Sequence, residues 1–129
     1  MARTVPCGER QRAGRMSKAR EFFTSAEKLG LLAEPTDPVD AQVELFIQAG
    51  IAAADVVCCV QLGEHASGQD HKEAVALLKQ VDSKLSVNLS TVLSLKARTS
   101  YGAERATPNH LKQARRAATH LLEGARLRM

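Results

Sequence analysis

AGIAAADVVCCVQLGEHASGQDHKE, residues 49–73, decides how the rest of the chain is read. Its first twelve residues are small or apolar except for Asp55; Gly63 follows as a stop signal, and a polar turn then carries His65, Asp70 and His71. Upstream, Val43, Phe46 and Ile47 begin as one apolar stripe that widens until nearly every face is apolar. Such a segment is buried on all sides, so a helix over residues 38–62 is expected to be central to the fold. Its small residues, Ala49, Gly50, Ala52, Ala53 and Ala54, let neighbours approach closely. Asp55 then needs a partner, because burying a lone carboxylate costs more than the helix can offset.

Working outward, Phe22, Ala26, Leu29 and Ala33 recur at three or four residues and predict an amphipathic helix over about 17–34, stopped by Pro35. Asp37 reads as the cap of the central helix, with Pro38 in its first turn. Asp70 with Glu73 three residues on has the pattern of a capping box, opening a third helix that buries Ala74, Leu77, Leu78 and Val81. A break is expected over 82–86. The fourth helix buries Leu85 or Leu89, Val92, Leu93 and Leu95 and ends in KARTSYG at Gly102. Thr107 and Pro108 open a fifth, burying Leu111, Ala114, Ala118, Leu121, Leu122 and Ala125. No segment alternates with period two for long enough to be a strand. The expected fold is all-α, an antiparallel up-and-down bundle of four to five helices.

A chain of 129 residues holds one domain with one core. The formal charge of +4 is unevenly placed: residues 1–20 carry Arg3, Arg10, Arg12, Arg15, Lys18 and Arg20 against Glu9, leaving 12 basic and 13 acidic side chains for the rest. The domain proper is near neutral, which argues against a dedicated nucleic-acid surface on it. Residues 1–15, Arg-rich and without apolar periodicity, are expected to be a disordered basic tail, and Met16 opens MSKAREFF as an alternative start. Residues 16–129 then form the single helical domain. Cys58 and Cys59 are adjacent and cannot bridge each other, and Cys7 falls in the tail, so three reduced thiols are expected. With no signal-like start and no run of roughly 18 apolar residues, a cytoplasmic chain without membrane contact is expected. The Cys and His spacing fits no zinc motif; a Gly-rich phosphate loop and a nucleophile elbow are lacking, and four aromatics are too few for a base-stacking platform. No metal and no cofactor are expected.

In an up-and-down bundle, the end of the second helix, the start of the third, the end of the fourth and the start of the fifth share a pole. Asp55 lies roughly 10 Å below that pole, and Lys96 and Arg98 roughly 9 and 6 Å, from a rise of about 1.5 Å per residue. They are its expected counterions. The polar cluster is Asp55, Asp70, His71, Lys96, Arg98 and Tyr101, with His65 and His110 nearer the surface. The plainer reading beside it is an ion pair that fixes helix register and a His71 that merely flanks a cap.

Through the phrases AGIAAADVVCC, GQDHKEAV and KARTSYG, residues 17–126 resemble a small actinobacterial group within the HEPN superfamily of helical bundles. The resemblance implies a homodimer in a stress, defence or toxin–antitoxin setting, with a nucleotidyltransferase or a toxin or antitoxin component as protein partner and RNA or nucleotide as ligand. Active members are metal-independent endoribonucleases with an arginine, four to six residues, and then a histidine at the end of the fourth helix, plus a polar residue in the second. Asp55 matches the polar position; Lys96 and Tyr101 match the spacing with both residue types changed, and Arg98 has no histidine after it until His110. A tyrosine is roughly 0.1% ionised at neutral pH, where a histidine titrates, and lysine lacks the bidentate fork of arginine. The expected function is a catalytically degenerate module binding a partner or a phosphate. The alternative is an active ribonuclease with Arg98 or Lys96 on the phosphate and His71 as acid or base.

Overall fold

The computed structural model describes residues 3–68 and 70–129; Met1 and Ala2 of the expected tail, and Gln69 of the third-helix opening, lie outside the described residues. In chain order the elements are β1 (Thr4–Pro6), α1 (Glu9–Leu32), α2 (Asp40–Leu62), β2 (Glu64–Ala66), α3 (His71–Lys79), α4 (Ser83–Thr99) and α5 (Pro108–Arg128). The five helices form a bundle around α2, which packs against α1, α4 and α5. Val43, Phe46, Ile47, Ala52, Ala53, Val56 and Val57 are at most 1% exposed, as all-round apolarity requires. By length and composition α2 could cross a membrane, but 67% of its most apolar window is buried inside the bundle. Its apolar faces are therefore matched by its neighbours.

Gly50 is where the small-residue stripe matters most: a Cβ there would lie 3.2 Å from Leu121 Cδ1 and 3.3 Å from Val92 Cγ1. The missing side chain lets α5 and α4 close on α2. Gly63 ends the helix in the left-handed region (φ 73°), and its N–H donates to the Cys59 carbonyl. Asp70 caps α3, its Oδ1 accepting from the N–H groups of Lys72 and Glu73. Asp82 caps α4 through the Leu85 N–H, and Thr107 caps α5 through the His110 N–H while the Thr107 N–H donates to His110 Nδ1. His110 is thereby a capping residue.

Three expectations are corrected. The central helix begins at Asp40 with Val39 as its cap, because the Asp37 carboxylate accepts from the Glu34 N–H at 2.8 Å and closes the turn that follows α1. The chain does contain strands: β1 and β2 pair antiparallel with Thr4 opposite Ala66, Val5 opposite His65 and Pro6 opposite Glu64. At three residues each they are too short to show a period-two pattern. The third correction concerns the basic segment, whose residues 4–6 are strand and whose residues 9–15 are the first turns of α1. Its order comes from long-range contacts rather than from local apolar periodicity. The ribbon holds it at one end, the Cys7 N–H donates to the Gly63 carbonyl, and Met16 and Ala19 extend the buried face of α1.

Candidate functional site

Asp55 sits on the face of α2 that turns toward the ribbon. Its Oδ2 accepts from Arg15 Nε at 3.0 Å and lies 2.8 Å from Arg15 Nη2, while its Oδ1 is 3.9 Å from His65 Nδ1. His65 Nδ1 is 2.7 Å from the Ala66 carbonyl, so that nitrogen donates to it and Nε2 is left out of this bond. Burial raises the Asp55 carboxyl above its ordinary value, and the opposing pull of Arg15, then His65, does not cancel it. The expected counterions were Lys96 and Arg98; the ion pair is made by Arg15, a residue assigned to the tail. Its identity as partner follows from the ordering of α1, which no local pattern announces.

A cavity of about 330 Å³ opens beside this pair, between α2, β2, α3 and α4. Ile51, Ala54, Ala74, Leu89 and Leu93 form its apolar wall, and Arg15, Asp55, His65, Asp70, His71 and Lys96 bring charge and imidazole to it. Four of the six residues singled out in the sequence, Asp55, Asp70, His71 and Lys96, thus line one cavity. Two do not. Arg98, two residues from Lys96 and so about 200° around the helix, lines a wider groove of about 770 Å³ along α4. Tyr101 lies beyond the end of α4 and is 76% exposed, so it shares no helical face with Arg98.

The larger groove carries Lys79, Lys84 and Arg98 with Ser83, Ser90, Thr91 and Ser94, and no acidic residue lines it. A shallow hollow lined by His71, Lys79, Ser90, Leu93 and Ser94 shares lining residues with both groove and cavity. Within the cavity Asp70 has its Oδ1 engaged in capping, and among the described residues Lys96 makes no ion pair. Lys96 is the charge most available to a ligand.

The thiols also differ from expectation. Cys7 and Cys59 form a disulfide, their Cα atoms 5.6 Å apart, because pairing of β1 with β2 carries Cys7 onto the last turn of α2. Cys58 stays free and buried, and its thiol is pushed up to about 12, by desolvation first and then by the charges of Asp55 and Glu64. Since disulfides persist mainly in oxidising compartments, the cysteines no longer support a cytoplasmic location. The ribbon signal that brings Cys7 to Cys59 is the TVPC stretch, legible only once its partner EHA is known.

No protein-family model matches this chain, and no curated protein or solved structure does.

Proposed function

We propose that this chain is a non-catalytic HEPN-like binding module, an antiparallel up-and-down bundle that acts as a homodimer and holds a nucleotide-type ligand in the cavity beside Asp55. The observation that carries this reading is the convergence of Lys96, His71, His65 and the Arg15–Asp55 pair on one cavity with an apolar wall. Few convergent polar groups on an apolar lining is the usual make-up of a small-molecule site. Lys96 and His71 suit a phosphate, Asp55 and Asp70 suit amino or hydroxyl donors, and Leu89 and Leu93 suit the face of a base. The mixed charge favours a ligand that carries both an anionic group and hydrogen-bond donors over a simple anion. Tyr101 stands outside the cavity and Arg98 on another face, which agrees with loss of the arginine–histidine chemistry of active HEPN ribonucleases. The module fits a stress, defence or toxin–antitoxin setting with a protein partner of the nucleotidyltransferase or toxin–antitoxin kind. Dimerisation is read by sedimentation at micromolar protein, where a monomer throughout removes that part of the proposal.

The test is calorimetric titration with nucleoside monophosphates, beside a gel assay for cleavage of a short RNA in the presence of chelator. Binding that weakens at least about tenfold in Lys96→Ala, with the RNA intact, is the expected result. RNA cleavage that disappears in His71→Ala would overturn it in favour of a second reading.

That second reading is a metal-independent ribonuclease, and one observation favours it: His65, His71 and Lys96 line one cavity. Two imidazoles can divide the roles of base and acid, and a lysine can meet the phosphate. Such an enzyme has a bell-shaped pH–rate profile, and each His→Ala variant removes one limb of it.

A further inference from the structure

The three segments that meet at the C-terminal end of α2 place two sulfurs and one ring nitrogen together. The Sγ atoms of Cys7 and Cys59 and a ring nitrogen of His65 all lie within 4.8 Å of one another. Each residue is held by backbone bonding rather than by a free loop. Cys7 follows β1 and donates its N–H to the Gly63 carbonyl, Cys59 accepts the Gly63 N–H in the last turn of α2, and His65 sits in β2 opposite Val5. Both cysteines are buried and His65 is half-buried.

We infer that, when the Cys7–Cys59 bond is reduced, these three residues form a zinc site, so that the ribbon carries either a disulfide or a metal. Two thiolates and one imidazole are an established donor set for tetrahedral zinc, with one position left for water or a ligand. At Zn–S of about 2.3 Å and Zn–N of about 2.0–2.1 Å, tetrahedral geometry asks for donor separations of roughly 3.5–3.8 Å. The three donor atoms already lie within 4.8 Å of one another, so the sulfurs open on reduction and the histidine draws in to reach these separations. The Nδ1–H bond from His65 to the Ala66 carbonyl orients the ring and leaves its other nitrogen unengaged by this bond, the outer-shell support that ligating histidines use. Thiolate donors select zinc over magnesium or calcium, which take oxygen.

The chemistry balances in two steps. Thiol–disulfide exchange with a low-molecular-weight thiol, two RSH per chain, yields the Cys7 and Cys59 thiols and one RSSR. Zinc then displaces one proton from each thiol, and two protons are released per ion bound. His65 also lines the cavity beside Asp55, so loading the metal occupies an imidazole that the cavity shares. The site itself stands independently of any ligand in that cavity.

The full chain, reduced by a phosphine and then kept oxygen-free, is titrated with Zn2+ against a chromophoric chelator and with Co2+ under absorption. One ion per chain is expected, with thiolate-to-cobalt charge transfer and tetrahedral d–d bands, and no such binding by the oxidised chain. Cys7→Ser and His65→Ala, checked for retained helix by circular dichroism, weaken binding at least about tenfold, and Cys58→Ser leaves it unchanged. The inference is overturned if the reduced wild-type chain takes up no stoichiometric metal or if the oxidised chain binds equally well. It is also overturned if Cys58→Ser abolishes binding while a folded Cys7→Ser retains it. If both ligand variants unfold, the comparison of reduced with oxidised wild type decides alone.

Discussion

Asp55 is charged in an apolar setting, and its Arg15 partner only partly offsets that burial. The folded chain holds the Asp55 proton to higher pH than the unfolded chain does. Its contribution to stability is therefore fully present in acid, below the ordinary value of 3.8, and is lost as pH rises through the raised value. Asp55→Asn removes that loss: denaturant midpoints measured from pH 3 to 7 are expected to fall less steeply with pH in the variant, and an unchanged profile would contradict the assignment. Cys58 follows the same sign at the alkaline end, its stabilising effect present below 9 and lost as pH rises toward about 12. With a thiolate fraction of about 0.01% at pH 8, Cys58 is expected to resist iodoacetamide in the native protein and to react once unfolded, as mass spectrometry would show. At this scale the sequence showed that Asp55 needed a partner. It could not show which one, since Arg15 meets Asp55 across 40 residues and stands in a segment with no apolar stripe.

Among the elements, the cap signals at Asp70, Thr107 and Gly63 were legible, the one at Asp37 misled because its carboxylate closes the preceding turn, and elements made by distant pairing were not legible. Asp70 before α3, Thr107 before α5 and Gly63 after α2 work through local hydrogen bonds, so a few adjacent residues suffice to read them. β1 has no local reason to be a strand; it exists because β2 offers it a partner 60 residues away in sequence. The first turns of α1 are ordered by the same attachment. The close approach of α4 and α5 to α2 rests on Gly50, and its test is Gly50→Val. The Cβ alone would sit 3.2–3.3 Å from Leu121 and Val92, and two more methyl groups have no space beyond it. A loss of about 1–3 kcal/mol in urea unfolding is expected, and a neutral effect would mean that the packing is looser than described.

For the whole molecule, the all-helical bundle around one apolar helix was readable because burial leaves its mark on composition. The disulfide was not, because it depends on a fold contact between residues separated by 52 positions. Closing a loop of that length restricts the unfolded chain, so reduction is expected to lower stability by about 2–4 kcal/mol, measured as the shift between denaturation curves with and without reductant in metal-free buffer. Candidate site residues were legible where depth along a helix sufficed, as for Asp55 and Lys96. They were misplaced where angular position decided, as for Arg98, or where the helix ended early, as for Tyr101. The cavity lined by Lys96, His71 and His65 is the proposed binding site. Amide chemical shifts of the 15N-labelled protein, followed as a nucleoside monophosphate is added, test it most directly. Saturable shifts clustered at residues 65–74 and 89–96 and absent in Lys96→Ala are predicted. Shifts confined to residues outside these two segments, or none at all, would contradict it.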